Sequence, residues 1–432
     1  MRTALYRTIW RWHFYAGLFV MPFIAVLALS GAVYLFKPQI ERWEERAFQN
    51  LLTAGAVRPD AQVAAALAAH PGAALSSYRL PERPGDAALV HLGLANGTMR
   101  DVFVAPRGQV VATLDPDSRI IAIDRKIHSQ LLLGERGSWL VELAASWAIV
   151  LVLSGLFLWW PRNADGLAGV VWPRLRSGRR VFWRDLHAVT GFWVAGLALV
   201  LLISGLPWAS VWGDAFKAVR GAVSQDWTVG GGTGQHGGGS GHGEHDHAAM
   251  MAAAAVPIPG VFNTVAAKAG AANLAFPVLI EPPGKRGPVW TVKSDAQNRP
   301  LRMTITYDSL TGAERARTGF ADRPLTDRVV GYGIAWHEGQ LFGWVNQAIG
   351  VITALALLTM MVSGFVLWRR RRPQGRVGAP PPADVPARIG IVVAITLVLA
   401  ALLPLLALSL VMLLVFDRLV LPRLPRLSAW LS

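Results

Sequence analysis

The chain has 432 residues, of which 53% are hydrophobic and only 16% are charged, and its mean hydropathy of +0.37 excludes an ordinary soluble protein. A net charge of +15 would suit nucleic-acid binding, but the arginines cluster beside apolar runs, so we predict no nucleic-acid partner. The absence of cysteine excludes disulfide bonds, thiolate metal sites and iron–sulfur clusters.

Five apolar segments are long enough to cross a bilayer, which takes roughly 20 residues. We expect the first to be an uncleaved anchor, because no small-residue cleavage site follows it. Arginine clusters precede the first segment, separate the second from the third and follow the fourth, which predicts a cytoplasmic N-terminus. The predicted transmembrane helices are 1–36, 138–161, 181–212, 337–368 and 388–416. The other predicted segments are outer domains at 37–137 and 213–336, cytoplasmic loops at 162–180 and 369–387, and a tail at 417–432.

Each outer domain begins with a helical stretch, at 60–70 in the first and 261–272 in the second. Alternating strand-like runs follow each stretch, at 88–94, 99–105 and 109–114, and at 276–281, 289–294 and 301–308. We therefore predict a mainly α-helical integral membrane protein. Duplicated pairs of transmembrane helices would form a four-helix core, with a fifth C-terminal helix and two external α+β domains.

A Gly-rich insert at 230–251 lies in the second outer domain and has no counterpart in the first. It contains four histidines, His236, His242, His245 and His247. Such a composition cannot bury a core. The insert is either a linker with solvated histidines, which we favour, or a loose site for a transition metal.

Four other histidines occur in a duplicated register. His13 and His187 are each followed by glycine after 4 residues and by Ser-Gly after 17 and 18 residues. His128 and His337 are each followed by glycine after 6 residues, Ser-Gly after 26 and 27, and tryptophan after 31. The four Ser-Gly pairs are Ser30-Gly31, Ser154-Gly155, Ser204-Gly205 and Ser363-Gly364. The chain therefore reads as two copies of one unit.

The predicted topology places two of these histidines near each face of the membrane. Neutral imidazoles can fill both axial positions of a haem iron, and histidines near membrane depth are usually functional. We therefore predict two non-covalently bound haem b groups, one held at the inner face by His13 and His187 and one at the outer face by His128 and His337. A single interfacial histidine would more often be structural.

Six registered glycines fit this hypothesis, because a helix that holds a porphyrin needs small residues where the plate presses. They are Gly17, Gly31, Gly155, Gly191, Gly205 and Gly364. Gly31 lies about five turns after His13 and so on the same helix face. Helix–helix packing is the alternative role for each glycine taken alone.

The duplicated His-Gly-Ser-Gly spans, the segments at 128–134 and 154–161, and the turn from Asp308 to Gly312 resemble the PepSY-associated transmembrane family, over roughly residues 1–370. Members include iron-regulated bacterial inner-membrane proteins and ferrisiderophore reductases. The resemblance implies PepSY-like outer domains, haem ligation by the four histidines and periplasmic reduction of a ferric siderophore or other ferric chelate. Some relatives carry a fused flavin reductase domain, but this sequence shows none and no dinucleotide-binding glycine fingerprint, so the cytoplasmic or membrane electron donor is unidentified.

The leading hypothesis is thus an oxidoreductase that conducts electrons across the lipid membrane. A non-enzymatic, membrane-anchored binding protein is one alternative, and it would need no registered histidines. A metal or siderophore transporter is another, and it would favour acidic or polar residues at mid-span and broken helices. The first four segments contain serines and glycines but no carboxylate at mid-depth, apart from Glu142 near an outer end. Five outer arginines could attract an anionic chelate, although a solvated surface is the favoured interpretation; they are Arg79, Arg83, Arg286, Arg299 and Arg302.

Overall fold

The computed structural model describes residues 2–161, 166–225, 260–284, 287–381 and 390–431. These residues divide into two units. The helical unit comprises Met1–Leu35, Arg125–Gly239 and Ala348–Ser432, and the sheet unit comprises Phe36–Asp124 and Ser240–Gln347. The Gly-rich insert and its four histidines lie outside the described residues, so metal capture there stays a prediction.

The helices and strands of the described residues are as follows. The α-helices in chain order are α1 (Arg2–Tyr34), α2 (Lys37–Glu44), α3 (Pro59–Ala69), α4 (Ile120–Gln130), α5 (Gly134–Trp159), α6 (Arg179–Gly205), α7 (Ser210–Gln225), α8 (Val261–Ala271), α9 (Leu325–His337), α10 (Trp344–Arg371), α11 (Gly390–Leu402), α12 (Pro404–Val415) and α13 (Pro425–Leu431). The strands are β1 (Ala74–Arg79), β2 (Ala88–Gly93), β3 (Met99–Val104), β4 (Val110–Leu114), β5 (Val278–Glu281), β6 (Val289–Ser294), β7 (Met303–Asp308) and β8 (Glu314–Gly319).

Five helical segments are long and apolar enough to cross a membrane, as the sequence predicted. They are Ala4–Tyr34, Gly134–Trp159, Arg179–Trp208, Trp344–Arg371 and Pro404–Arg423. Large apolar side chains on them stay more than half exposed, for example Leu29, Trp193 and Leu355. Exposed apolar surface of this extent suits a lipid environment. The chain is therefore a membrane protein.

Two registered glycines, Gly134 and Gly343, lie where a short helix gives way to a long one. Gly134 has a φ of +60° and begins α5, and Gly343 has a φ of +57° immediately before α10. Glycine adopts this left-handed conformation without the steric cost that a Cβ would bring. Their place in the repeat, six residues after His128 and His337, is thus explained by the turn.

The last apolar segment differs from the single helix predicted at 388–416. It breaks at Leu403, where α11 ends and α12 begins, because Pro404 has no backbone N–H and disfavours a helical residue before it. The Leu402 carbonyl accepts a hydrogen bond from Trp212 Nε1 in the first turn of α7.

The C-terminal tail, predicted at 417–432, lies beside the start of α1. Tyr15 donates a hydrogen bond to the Leu431 carbonyl, and Arg11 donates one to the Pro380 carbonyl. Residues 380 and 431 therefore lie near the same end of α1. The segment that contains α11 and α12 leaves this end, turns at Leu403 and returns to it.

The sheet unit contains one eight-stranded antiparallel sheet in the order β4-β3-β2-β1-β5-β6-β7-β8. Each half of the chain supplies one helix and four consecutive strands, and the halves join where β1 pairs with β5 at Tyr78↔Ile280. The helices α3 and α8 cover one face through a core that includes Val63, Phe262 and Trp290. The strands that the sequence assigned to two domains thus form a single sheet.

Two strands in the sheet were not predicted. In β8 nearly every residue is exposed and the sequence ERARTG shows no apolar alternation, because this strand lies at the sheet edge. In β1, whose sequence is ALSSYR, the polar residue Ser77 is buried. The strand therefore lacks the alternation of buried apolar and exposed polar residues that predicts a strand. The predicted helical stretches are confirmed as α3 and α8.

Candidate functional site

Three of the four registered histidines belong to the helical unit. His13 lies on α1, His187 on α6 and His128 in the last turn of α4. His337 is the last residue of α9, in the sheet unit. His128 and His337 therefore share one local setting, the C-terminal end of a short helix.

The His13 ring is held by the Ser154-Gly155 pair of α5. His13 Nδ1 lies 2.9 Å from Ser154 Oγ, within hydrogen-bonding distance. A Cβ built on Gly155 would lie 3.2 Å from His13 Cε1, which is tighter than an ordinary carbon–carbon contact. The Cε1 edge of the ring thus packs against Gly155, and its Nδ1 atom lies within hydrogen-bonding distance of Ser154.

His187 and His128 repeat this arrangement. His187 Nδ1 lies 3.1 Å from Ser363 Oγ, and a Cβ on Gly364 would lie 3.3 Å from His187 Cε1. His128 Nδ1 lies 2.9 Å from Ser30 Oγ, and a Cβ on Gly31 would lie 3.2 Å from His128 Cε1. Three Ser-Gly pairs therefore hold three histidine rings in the same way.

The registered glycines fall into two groups according to the side chain that each one faces. At Gly31, Gly155 and Gly364 the space left by the missing side chain faces an imidazole edge, so a role toward a porphyrin stays a prediction there. A Cβ on Gly17 would lie 3.7 Å from a Leu151 methyl, and one on Gly191 would lie 3.1 Å from the Met360 methyl. These two glycines allow close helix packing, and Gly205 ends α6.

His13 on α1 and His187 on α6 are the two rings that the sequence predicts to share the inner haem. The Nδ1 edge of each ring is engaged, and no residue within the described ranges hydrogen-bonds to Nε2 of either ring. Among these same residues, no group of three or more histidines or carboxylates could hold a metal ion. Two imidazoles with open Nε2 atoms fit an iron whose other four ligands come from a porphyrin.

Comparison with known proteins agrees with the sequence resemblance. The family model described as the PepSY-associated TM region matches residues 10–371. The chain belongs to this family. A comparison with curated proteins gives no match. The match contains all four registered histidines and ends with α10, so α11 to α13 lie beyond the PepSY-associated region.

A buried carboxylate that sequence reasoning missed fixes the start of α6 in the PepSY-associated region. Asp185, two residues before His187, is fully buried and accepts hydrogen bonds from Arg174 Nε at 2.7 Å and from Arg184 Nη2 at 2.7 Å. The signal was available, because Asp185 is an isolated acidic residue within an arginine cluster. Its contacts tie the segment before α6 to the turn that carries His187.

The registered tryptophans hold the segments that follow α5 and α10. Trp159 Nε1 donates to the Val170 carbonyl at 3.0 Å, and Trp368 Nε1 donates to the Val377 carbonyl at 2.9 Å. Tryptophan buries its ring while its N–H needs a partner. The same position of the repeat thus does the same structural work in both halves.

The Asp308 turn named in the family resemblance is internally satisfied. Asp308 Oδ1 accepts hydrogen bonds from the Leu310 and Thr311 backbone at 3.0 and 2.8 Å, and Arg315 reaches Oδ2 at 2.6 Å. The Arg315 guanidinium and the Thr311 donors hold the pKa of this carboxyl well below its usual range. The turn therefore closes the β7–β8 hairpin.

Of the five outer arginines, the four that the structure describes do not form one exposed cluster. Arg79 pairs with Glu45 at 2.6 Å, Arg302 pairs with Asp295 at 3.0 Å, and Arg299 is buried. Arg83 is exposed, and Arg286 lies outside the described residues. Among the described four, the solvated-surface interpretation suits Arg83, and attraction of a chelate by this set stays a prediction.

Two buried carboxyls lie close in sequence to the proposed outer ligands. Burial raises the pKa of Asp124, four residues before His128, to about 6. Burial also raises the pKa of Glu338, although the nearby Arg299 and Lys37 act in the opposite direction. Asp124 Oδ2 has no hydrogen-bond partner.

Proposed function

We propose that this PepSY-associated protein is a di-haem b electron-transfer protein of the bacterial inner membrane that reduces a periplasmic ferric chelate, such as a ferric siderophore. The carrying observation is the repeated histidine geometry, in which Ser and Gly hold one ring edge and Nε2 is left open at His13 and His187. The reaction class would be oxidoreductase.

Under this proposal His13 and His187 hold the inner haem, and His128 and His337 hold the outer haem. A bound haem supplies reversible one-electron transfer, and reduction of the substrate's ferric iron weakens its hold on hard oxygen ligands. The chain's own contribution is to orient the imidazoles, keep water from their engaged edges and set the separation of the two sites.

The helix α1 sets that separation within the helical unit. It carries His13 near its start, and its Ser30-Gly31 pair holds the His128 ring. The 17 residues from His13 to Ser30 span roughly 26 Å of helix. Two sites this far apart cannot share one iron, which supports two separate haem sites, one near each face of the membrane.

The orientation follows from the arginines that flank the long helices. Arg176 precedes α6, Arg179 and Arg180 begin it, and Arg369 to Arg371 end α10, all of them exposed. The positive-inside rule assigns these ends, with the start of α1, to the cytoplasm. The inner haem would then receive electrons from an unidentified cytoplasmic or membrane donor.

The one carboxylate that could have favoured a transporter has a structural partner. Glu142 accepts hydrogen bonds from the backbone N–H groups of Val211 at 2.9 Å and Trp212 at 3.0 Å, in the first turn of α7. A carboxylate at a helix N-terminus satisfies donors that have no intrahelical partner. This observation favours the electron carrier over transport.

The first test is the haem content of the purified protein. Pyridine haemochrome measurement should give about two haem b per chain, and the dithionite-reduced protein should show the sharp bands of a bis-histidine haem. A content near zero would favour the non-enzymatic binding protein instead.

The second test concerns the substrate. The reduced protein, freed of dithionite and mixed with a ferric hydroxamate, should lose its ferrous haem spectrum while a ferrous-iron indicator develops colour in equal amount. Haem that stays reduced in the presence of the chelate would refute the reductase assignment and leave the haem assignment standing.

A further inference from the structure

The serines of the Ser-Gly pairs already use their hydroxyl protons. Ser30 Oγ donates to the Val26 carbonyl at 2.7 Å, Ser363 Oγ to the Thr359 carbonyl at 2.7 Å, and Ser154 Oγ to the Leu151 carbonyl at 3.1 Å. This bond to the preceding turn is a common way to satisfy a serine inside a helix. A hydroxyl has one proton and two lone pairs, so the oxygen is left as an acceptor toward the histidine.

A backbone carbonyl gives independent evidence at His187. Met360 O lies 3.0 Å from His187 Nδ1, and a carbonyl oxygen can only accept a hydrogen bond. The contact therefore requires a proton on Nδ1. The Leu151 carbonyl is the corresponding neighbour of His13, and Leu151 precedes Ser154 by three residues as Met360 precedes Ser363.

The glycine of each pair completes the arrangement. With Cβ contacts of 3.2 to 3.3 Å at Gly31, Gly155 and Gly364, any larger residue would push the ring away by a few tenths of an ångström. The serine hydrogen bonds at His13 and His128 are 2.9 Å long, so such a shift would weaken them. The serine and the glycine of a pair therefore act on the same ring. The serine accepts the proton of Nδ1 in a hydrogen bond, and the glycine allows the ring to lie close enough for that bond.

We propose that the Ser-Gly pairs fix His13, His128 and His187 as the Nδ1-protonated tautomer, so that Nε2 is the unprotonated ring nitrogen. Serine, with the nearby carbonyl at His13 and His187, is thus a positioning residue for the ligand. The tautomer assignment needs no cofactor, while its consequence for a bound haem rests on the proposed function.

That consequence is a shift of the reduction potential. A histidine that donates its second ring N–H becomes a more basic ligand, and a more basic ligand favours ferric over ferrous iron. Loss of the serine acceptor should therefore raise the reduction potential of the haem that the histidine holds. A serine that merely filled space would leave the potential unchanged.

The test uses Ser154→Ala in the full-length protein, with Ser154→Thr as the rescue. The matched control is Ser146→Ala on the same helix, because Ser146 makes the same kind of bond to the Glu142 carbonyl, at 2.8 Å, with no histidine involved. Spectroelectrochemical titration should show a positive shift of one haem in Ser154→Ala, its reversal in Ser154→Thr and no shift in Ser146→Ala.

A second readout observes the proton itself. Solid-state NMR of 15N-histidine-labelled protein in lipid vesicles, in the diamagnetic ferrous state, should show a protonated Nδ1 at His13, assigned from the signal lost in His13→Ala. An unprotonated Nδ1 in the unaltered protein overturns the proposal, as does an unchanged potential in Ser154→Ala. If the protein binds no haem, the proposed function fails, and the same spectrum of the haem-free chain still decides the tautomer.

Discussion

Polar side chains have different hydrogen-bonding surroundings in the helical unit and in the sheet unit. In the sheet unit, charged groups largely satisfy one another, as where Arg119 pairs with Glu45 at 2.8 Å and Glu44 accepts from the Ile120 backbone at 2.9 Å. Among the described residues of the helical unit, His13 and His187 are hydrogen-bonded on one ring edge only, at the side of Ser154 and Ser363. A polar residue held firmly but left with one open atom is prepared for a ligand, whereas closed networks hold a fold together.

Removing a histidine of the helical unit should have the largest effect. We expect His13→Ala to lower the haem content from about two to about one per chain, because one axial ligand of the inner haem is lost. His187→Ala should remove the same spectral component, and His128→Ala and His337→Ala the other. All four variants should stop electron transfer across vesicle membranes, since the two haems act in series.

The matched control for this series is His70→Ala in the sheet unit, where His70 Nε2 lies 3.2 Å from Thr113 Oγ1. It should retain both haems. If His13→Ala and His128→Ala removed one haem that His187→Ala spared, the assignment of the histidines to two faces would be wrong.

Two glycines on neighbouring helices sharpen the comparison within the helical unit. Gly155→Ala should lower the occupancy of the inner haem several-fold, because its Cβ would press on His13 Cε1 at 3.2 Å. Gly17→Ala should leave it unchanged, since its Cβ would meet Leu151 at an ordinary 3.7 Å. Haem content per chain measures both, and equal losses in the two variants would show that the histidine contact is not the cause.

In the sheet unit the expected effect is on stability rather than on cofactor content. Burial raises the pKa of Asp124 to about 6, so between the unfolded value near 3.8 and this value the folded state holds the extra proton. The free energy of unfolding should therefore fall as pH rises through that window. Asp124→Asn should stabilise the protein by about 1–3 kcal/mol at pH 7.5, and by less at pH 4.5.

Thermal unfolding at the two pH values checks this. Equal gains at both would assign the effect to packing, and a loss at pH 7.5 would mean that the ionised carboxylate has a stabilising partner.

The smallest effect is expected from the Gly-rich insert. Deleting residues 230–247 should leave haem content and both reduction potentials unchanged, because the insert has no counterpart in the first repeat. Haem loss after this deletion would place an axial ligand among its histidines. Equilibrium dialysis with Zn²⁺ before and after deletion separately measures any metal capture.

The repeat in the sequence was sufficient to find the four histidines and the four Ser-Gly pairs. It could not show that Ser30 meets His128, 98 residues away, because helical periodicity gives the face of a helix and not the helix that packs against it. For the same reason the sequence pattern, which predicts a porphyrin beside Gly31, Gly155 and Gly364, did not indicate the histidine rings that these glycines face. The serine of each pair is visible in the sequence, and the structure gives three of them a histidine partner.

The outer strands show a second limit. Pairing of β1 with β5 joins two halves of the chain through only two registered residue pairs, and an open strand edge accepts any suitable neighbour. No local sequence pattern predicts such a contact. By contrast, Pro404 was a local sign of the break in the last apolar segment. The prediction followed the length of the apolar run and did not use this proline.

The position of the tail has a consequence for any protein joined to this one. Tyr15 bonds to the Leu431 carbonyl, so the residues at both ends of the described chain emerge at one end of the helical unit. A compartment-sensitive reporter should give the same reading at either terminus, and a redox module fused after residue 432 would be tethered beside the His13 site rather than across the bilayer from it.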